Sequence, residues 1–172
     1  MTAPERQVAS FAECLSAEFR RRLLDEYVPR IRKCTELLTE DQSWISPGTF
    51  NNSVANLLMH LAGNVRQWII CGVGDASDER NRPFEFSGNR DEVNTPISGL
   101  MDRLEDTVRE AVAIVEGLTP DQWLRRAVFQ QRYDETIVGA VLHAMEHFSG
   151  HAGQIYAFTK QETGKDLKFY DL

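Results

Sequence analysis

Residues 137–155 read IVGAVLHAMEHFSGHAGQI, and two patterns share that stretch. Ile137, Val141, Ala144, Phe148, Ala152 and Ile155 recur every three or four positions, the spacing of one face of an α-helix. His143, His147 and His151 recur every four. At about 100° per residue they form a second stripe along one flank of the apolar face, continued by Gln154 and Phe158. The helix is predicted to run from about Glu135 to Thr163 and to stop at Gly164.

Three further helical patterns precede it. The nearest opens at Thr95-Pro96, a cap followed by Pro at the first helical position. It carries Ile97, Leu100, Met101, Leu104, Val108, Val112 and Val115, with Gly117 as its stop. Before that, Val54, Leu57, Leu58, Leu61, Val65 and Trp68 mark a helix that opens after Asn51, Asn52 or Ser53 and ends at Gly72 and Gly74. The first spans about Gln7 to Leu38, with Phe11, Leu15, Phe19, Leu23, Tyr27, Ile31, Cys34 and Leu38 on its apolar face. Pro29 has no N–H to bond back to Asp25, so a kink is expected there. The sequence thus predicts an all-α chain, one four-helix-bundle domain over residues 1–172, with a long crossover between helices two and three.

That crossover, Asp75 to Asn94, is polar and long for a structureless connection. A solvated loop is the default reading and a lid the sharper one. The linker before the last helix carries Arg125, Arg126 and Arg132. Thr39/Gln42 and Thr119/Gln122 repeat one T-x-x-Q capping signal where a long helix gives way to a connector, which suits two helix–turn–helix halves. The tail carries Phe169, Tyr170 and Leu172, which could dock on the bundle.

Composition narrows the function. The 172 residues are 42% hydrophobic and 26% charged, with a formal net charge of −7. An acidic chain without a basic stripe is not expected to track phosphates, so no nucleic-acid partner is predicted. No apolar run reaches a membrane span and the first residues lack a signal-peptide layout, so a cytoplasmic protein is expected. Cys14, Cys34 and Cys71 form no CxxC pair and read as reduced, core-filling thiols.

The fourth histidine, His60, lies in helix two with Asn64 one turn on, along the matching flank of its apolar stripe. Where the two helices meet, His60 could face the stripe of the last helix. Three neutral imidazoles would hold one divalent ion and leave positions open for water or substrate. His143, His147 and His151 lie on a line, so all three are not expected to reach one ion, and spacing does not select among them. The stretch lacks the Glu of HExxH, and Glu146 falls on the opposite side from its neighbour His147. Zinc, nickel, iron and manganese all suit imidazole. Neither a Ser–His–Asp constellation nor a Gly-rich phosphate loop can be read from the sequence.

The segments Asn56-Leu-Leu-Met-His60-Leu-Ala-Gly-Asn64, with Arg66-Gln-Trp68 after it, and His143-Ala-Met-Glu-His147-Phe-Ser-Gly-His151-Ala-Gly-Gln154-Ile155 resemble the DinB-like (damage-inducible B, YfiT-type) four-helix proteins. The resemblance runs from about Phe11 to Lys160. It implies a metal triad of His60, His147 and His151, with His143 accessory, and zinc or nickel as the leading metals. Asn64, His143 and Gln154 are the residues placed to orient the ligands. The family holds thiol transferases, a mycothiol-dependent maleylpyruvate isomerase, proteins assigned as hydrolases and members without a known reaction. The resemblance therefore implies a metal-dependent enzyme that activates a low-molecular-weight thiol or water toward a small-molecule substrate, in a homodimer. The other reading is a non-catalytic metal- or ligand-binding stress protein. Arg80, Arg82, Arg125, Arg126 and Arg132 are candidates to hold a carboxylate, each against the plainer reading of a solvated charge.

Overall fold

The computed structural model describes residues 3–87 and 89–169. Tyr170 and Leu172 lie outside the described residues. Four helical rods carry the fold. The first is α1 (Ala3–Arg20), a π-helical segment (Arg21–Tyr27) and α2 (Val28–Leu37). The second is α4 (Val54–Val65) with a π-helical segment (Arg66–Cys71), the third α7 (Ile97–Glu116) and the fourth α9 (Ile137–Thr163). Short helices α3 (Glu40–Trp44), α5 (Arg82–Ser87), α6 (Arg90–Val93) and α8 (Pro120–Leu124) occupy the connections. Strands β1 (Arg126–Phe129) and β2 (Tyr133–Thr136) precede α9.

The rods meet where the apolar stripes predict. Both α2 and α4 pack against α7 and α9. Phe19, Leu23, Ile31, Leu58, Leu61, Met101, Leu104, Ile137, Phe148 and Ile155 are fully buried between them. Phe11 departs from its stripe. It is 66% exposed, because the first helix reaches past the main core and lays Phe11 along a shallow apolar groove with Leu15, Trp123 and Leu124. Among the cysteines, Cys34 is buried as expected, but Cys14 is exposed and Cys71 only partly covered.

At Pro29, where a kink is expected, the hydrogen-bond ladder changes. The preceding residues widen into a π turn, with the Val28 N–H donating to the Leu23 carbonyl, and the chain stays helical on both sides. The shifted ladder lies just before the residue that has no N–H to give. Ser53 caps α4 by accepting from the Asn56 N–H, and Gly164 ends α9 in the left-handed region. The third rod starts one residue later than predicted: Pro96 is its N-cap and supplies no side-chain bond. The T-x-x-Q repeats are both complete capping boxes, opening α3 and α8.

Two connections are more ordered than the sequence suggests. Residues 75–94, expected as a solvated loop, carry α5 and α6, and α5 packs on α4. The arginine-bearing linker is an antiparallel hairpin, with Phe129 opposite Tyr133, in an otherwise helical chain. Four-residue strands with alternating charges give too weak a period to read beside helices of 20 and 27 residues. At its turn Gln130 and Gln131 both have φ above 50°, where Asn-Gly is the usual pair. The hairpin is anchored by Phe129, 1% exposed and stacked on Trp68 at 5.1 Å between ring centroids. Among the described residues, no helix is long and apolar enough to cross a membrane.

Phe129→Ala should therefore unseat the hairpin and lower the unfolding free energy by about 3 kcal/mol. Urea denaturation checks this; a loss below about 1 kcal/mol would mean that the hairpin does not rest on that ring.

Candidate metal centre

Helices α4 and α9 each present a row of side chains one turn apart where they pack together. From α4 and the π segment that follows it the row is His60, Asn64 and Trp68; from α9 it is His143, His147 and His151. The structure brings His60, His147 and His151 together, with one ring nitrogen from each lying within 4.8 Å of the others. The His60 and His147 Nε2 atoms are 3.0 Å apart. A tetrahedral ion bound at ordinary zinc–nitrogen distances spaces its nitrogens about 3.3 Å apart, which the His60–His147 pair is already close to and which the wider members of the cluster reach by closing in.

The remaining ring nitrogens decide which lone pairs are free. His60 Nδ1 lies 2.8 Å from Glu85 Oε2. Arg80 grips the same carboxylate through Nε–Oε1 at 2.7 Å and Nη2–Oε2 at 2.8 Å. Burial alone would raise the Glu85 pKa, but hydrogen bonds from Arg80 and His60 outweigh it and hold the carboxyl below its usual range. An ionised Glu85 can only accept, so His60 donates from Nδ1 and keeps its Nε2 lone pair facing the cluster. Arg80 Nη2 also sits 3.1 Å from His60 Nδ1, inside the same fork. His151 is set the same way: its Nδ1 is 3.0 Å from Gln154 Oε1, one turn on.

His147 differs. Its Nδ1 is buried without a hydrogen-bond partner among the described residues, so the neutral ring donates its Nε2 proton to His60. A cation in the cluster would take the place of that proton. Burial, reinforced by His151 and His60, pushes the His147 pKa down to about 3. Burial also lowers His151, against the opposing bond from Gln154, and lowers His143 against the Glu146 charge. Desolvation thus keeps imidazoles in the neutral form that ligates metal.

His143 stays apart from the cluster. Its ring stacks on Trp68 at 4.0 Å and is 5.9 Å from that of His147. The Asn64 side chain is buried, with Oδ1 unpartnered, and makes no bond to the triad. Gln154 is the one orienting candidate that touches a triad ring. Of the five arginines, Arg80 is no surface charge: its side chain is 5% exposed and serves Glu85. Arg125 faces Asp75 and Arg126 pairs with Asp134, which leaves Arg82 and Arg132 on the cavity beside the histidines.

Sequence reasoning missed Glu85. Its signal lay in Phe84-Glu85-Phe86, the one place in the 75–94 segment where two aromatics flank an acid. Phe86 packs on the His60 ring at 4.6 Å, and Asn56 Nδ2 donates to the Glu85 carbonyl at 3.0 Å. The segment therefore docks on the helix that carries His60.

Gly63 makes this docking possible: a methyl group at its Cβ position would overlap Glu85 Oε1 and press on Arg80 Nε. Gly63→Ala should displace the carboxylate from His60 and weaken metal binding about 10- to 100-fold with the helical circular-dichroism signal retained. Unchanged affinity in a metal titration would show that His60 does not need Glu85. A second expectation concerns acid. An unfolded histidine takes up its proton near pH 6.5, whereas His147 resists protonation until about 3. The unfolded chain binds the extra proton in between, so this group's contribution is whole above about 6.5 and drains as the pH falls toward 3. The urea midpoint of chelated protein should fall over that window, and less so in His147→Gln; parallel curves would contradict it.

Comparison with known proteins follows the same lines. The model of a family described as protein of unknown function (DUF1572) matches residues 12–171. No curated protein matches the chain. Among solved structures, it is similar to a DinB-like protein, YjoA, from Bacillus subtilis, with a TM-score of 0.63 and 18% identity over 88% of this chain and 93% of that one. It is also similar to a DinB-like protein from Bacillus cereus ATCC 10987, with a TM-score of 0.61 and 12% identity over 80% and 87% of the two chains. At such identities the likeness is one of fold. The chain belongs to the DUF1572 family and is built on the DinB-like four-helix fold.

Proposed function

We propose that this chain is a metal-dependent enzyme in which His60, His147 and His151 hold one divalent cation, zinc or nickel first, for attack by a thiol or water on a small electrophilic substrate. The observation that carries the reading is the triad itself: three converging imidazoles, two with Nδ1 already committed to an acceptor, with His60 and His147 lining a cavity of about 590 Å³. That volume suits a small-molecule ligand. When bound, the ion supplies a lowered pKa for a coordinated thiol or water.

The chain's own residues do the rest. Glu85 and Gln154 hold the rings of His60 and His151 at a fixed tautomer. Phe86 covers the His60 ring on the α5 side. Trp68, seated between Phe129 and His143, forms an apolar wall. A purely structural ion would call for a fourth protein ligand. Among the described residues the cluster offers three, and the Glu85 carboxylate is taken by Arg80 and by Nδ1 of His60. An open coordination position favours catalysis over the non-catalytic reading.

Elemental analysis should find about one equivalent of metal per chain in native protein. His60→Ala, His147→Ala and His151→Ala should each lose it, while His143→Ala keeps it. Chelation should lower the melting temperature, because the ion ties α4 to α9. Retention of metal by His151→Ala with loss in His143→Ala would show that the wrong pair on α9 was chosen. A thiol-conjugation screen with and without metal then separates thiol transfer from hydrolysis.

A further inference from the structure

Two arginines face the metal-site cavity without a carboxylate partner among the described residues. Arg82 comes from α5 and Arg132 from the hairpin, so they reach the cavity from two different connections. Each is racked on an aromatic ring. Arg82 Cζ lies 5.4 Å over Phe86, which itself packs on His60. Arg132 Cζ lies 5.7 Å over Tyr133, which stacks on Trp68 at 6.1 Å. A guanidinium held by its face keeps its N–H edge for an oxyanion. The hairpin turn also spends backbone strain here: Gln130 and Gln131 both occupy the left-handed region, and Gln130 and Arg132 line the cavity.

The charges define the anion. Arg80 is neutralised by Glu85. Glu135 stands in the same wall, with Oε1 accepting from the Thr136 N–H at 2.7 Å, and keeps one negative charge facing the arginines. In metal-free protein two cations against one anion leave a surplus of one, which suits a monoanion; a divalent ion at the histidines would add its own charge to the same cavity. We propose that Arg82 and Arg132 form the recognition site for a carboxylate, so that the substrate is a small organic acid whose carboxylate sits between lid and hairpin and whose remainder extends toward the histidines. This rests on the reading of the cavity as the reactive site. The two arginines nevertheless make the anion site testable by itself.

Benzoate and its neutral isostere benzamide are suitable probes, with inorganic phosphate as a third. Binding is followed by calorimetry on wild type, Arg82→Gln, Arg132→Gln and, as a control outside the cavity, Arg126→Gln, each with and without added zinc. Zinc content is measured on the same samples. Benzoate should bind wild type and Arg126→Gln alike, benzamide far more weakly, and each cavity variant should bind benzoate at least about tenfold more weakly with zinc content unchanged. The proposal is overturned if wild type binds no benzoate, if benzamide binds equally well, if either cavity variant retains wild-type affinity, or if phosphate binds metal-free protein more tightly than benzoate does. If wild type takes up no stoichiometric zinc, the metal reading fails, and the dependence of benzoate binding on the arginines in metal-free protein still decides this one.

Discussion

The hydrogen bond from His60 Nδ1 to Glu85 is the contact on which the rest of this architecture turns. It joins a helix of the bundle to the 75–94 connection, beside the contacts of Phe86 with the His60 ring and of Asn56 with the Glu85 carbonyl. It also fixes which nitrogen of His60 is free. An ionised carboxylate in a buried site is costly unless its charge is met. Arg80 meets it through both nitrogens of a fork, and Gln67 Oε1 accepts from Arg80 Nη1 at 2.7 Å. The chain of contacts runs from solvent-facing Asp78, through Gln67 and Arg80, to Glu85 and the imidazole. Each member holds the next, so the tautomer of one ring is set by a chain of four other side chains.

Around that contact the four rods act as a frame. Their stripes bury a continuous core, and close packing there leaves α4 and α9 little freedom to slide. The π segment after Val65 belongs to the same logic. It opens just beyond Asn64 and delivers Trp68 to a place where it meets both His143 and Phe129. A wider turn advances less per residue around the axis than an α turn, so side chains beyond it leave the ideal stripe. Such segments recur next to functional sites.

The parts that were legible in the sequence are those with a long period. All apolar positions predicted for the last three rods are buried, because rods of 18 (12 plus 6), 20 and 27 residues with three-and-four spacing outweigh any local preference. The meeting of His60 with His147 and His151 could be anticipated from helical arithmetic and from resemblance. What escaped was short or tertiary. A four-residue strand has no period to detect. Glu85 becomes meaningful only when residue 85 folds back on residue 60, across 25 positions of chain. Arg80 reads as solvated for the same reason, since its burial depends on a carboxylate five residues away and on Gly63 having no side chain.

That last dependence shows why the buried ion pair persists in a fold that could do without it. Replacing Arg80 and Glu85 by apolar residues of similar size need not weaken the bundle, since a well-packed apolar pair is often as stable as a buried salt bridge. It would, however, release His60 Nδ1. The ring would then be free to turn or to present either nitrogen, and the row facing α9 would lose its fixed lone pair. The pair is therefore better understood as orientation than as stability. The same holds for the hairpin, whose strained turn is a poor choice for folding but sets Gln130 and Arg132 on the cavity. In this fold the helices provide stability, and the two connections, each at a local cost, provide the surroundings of the candidate metal site.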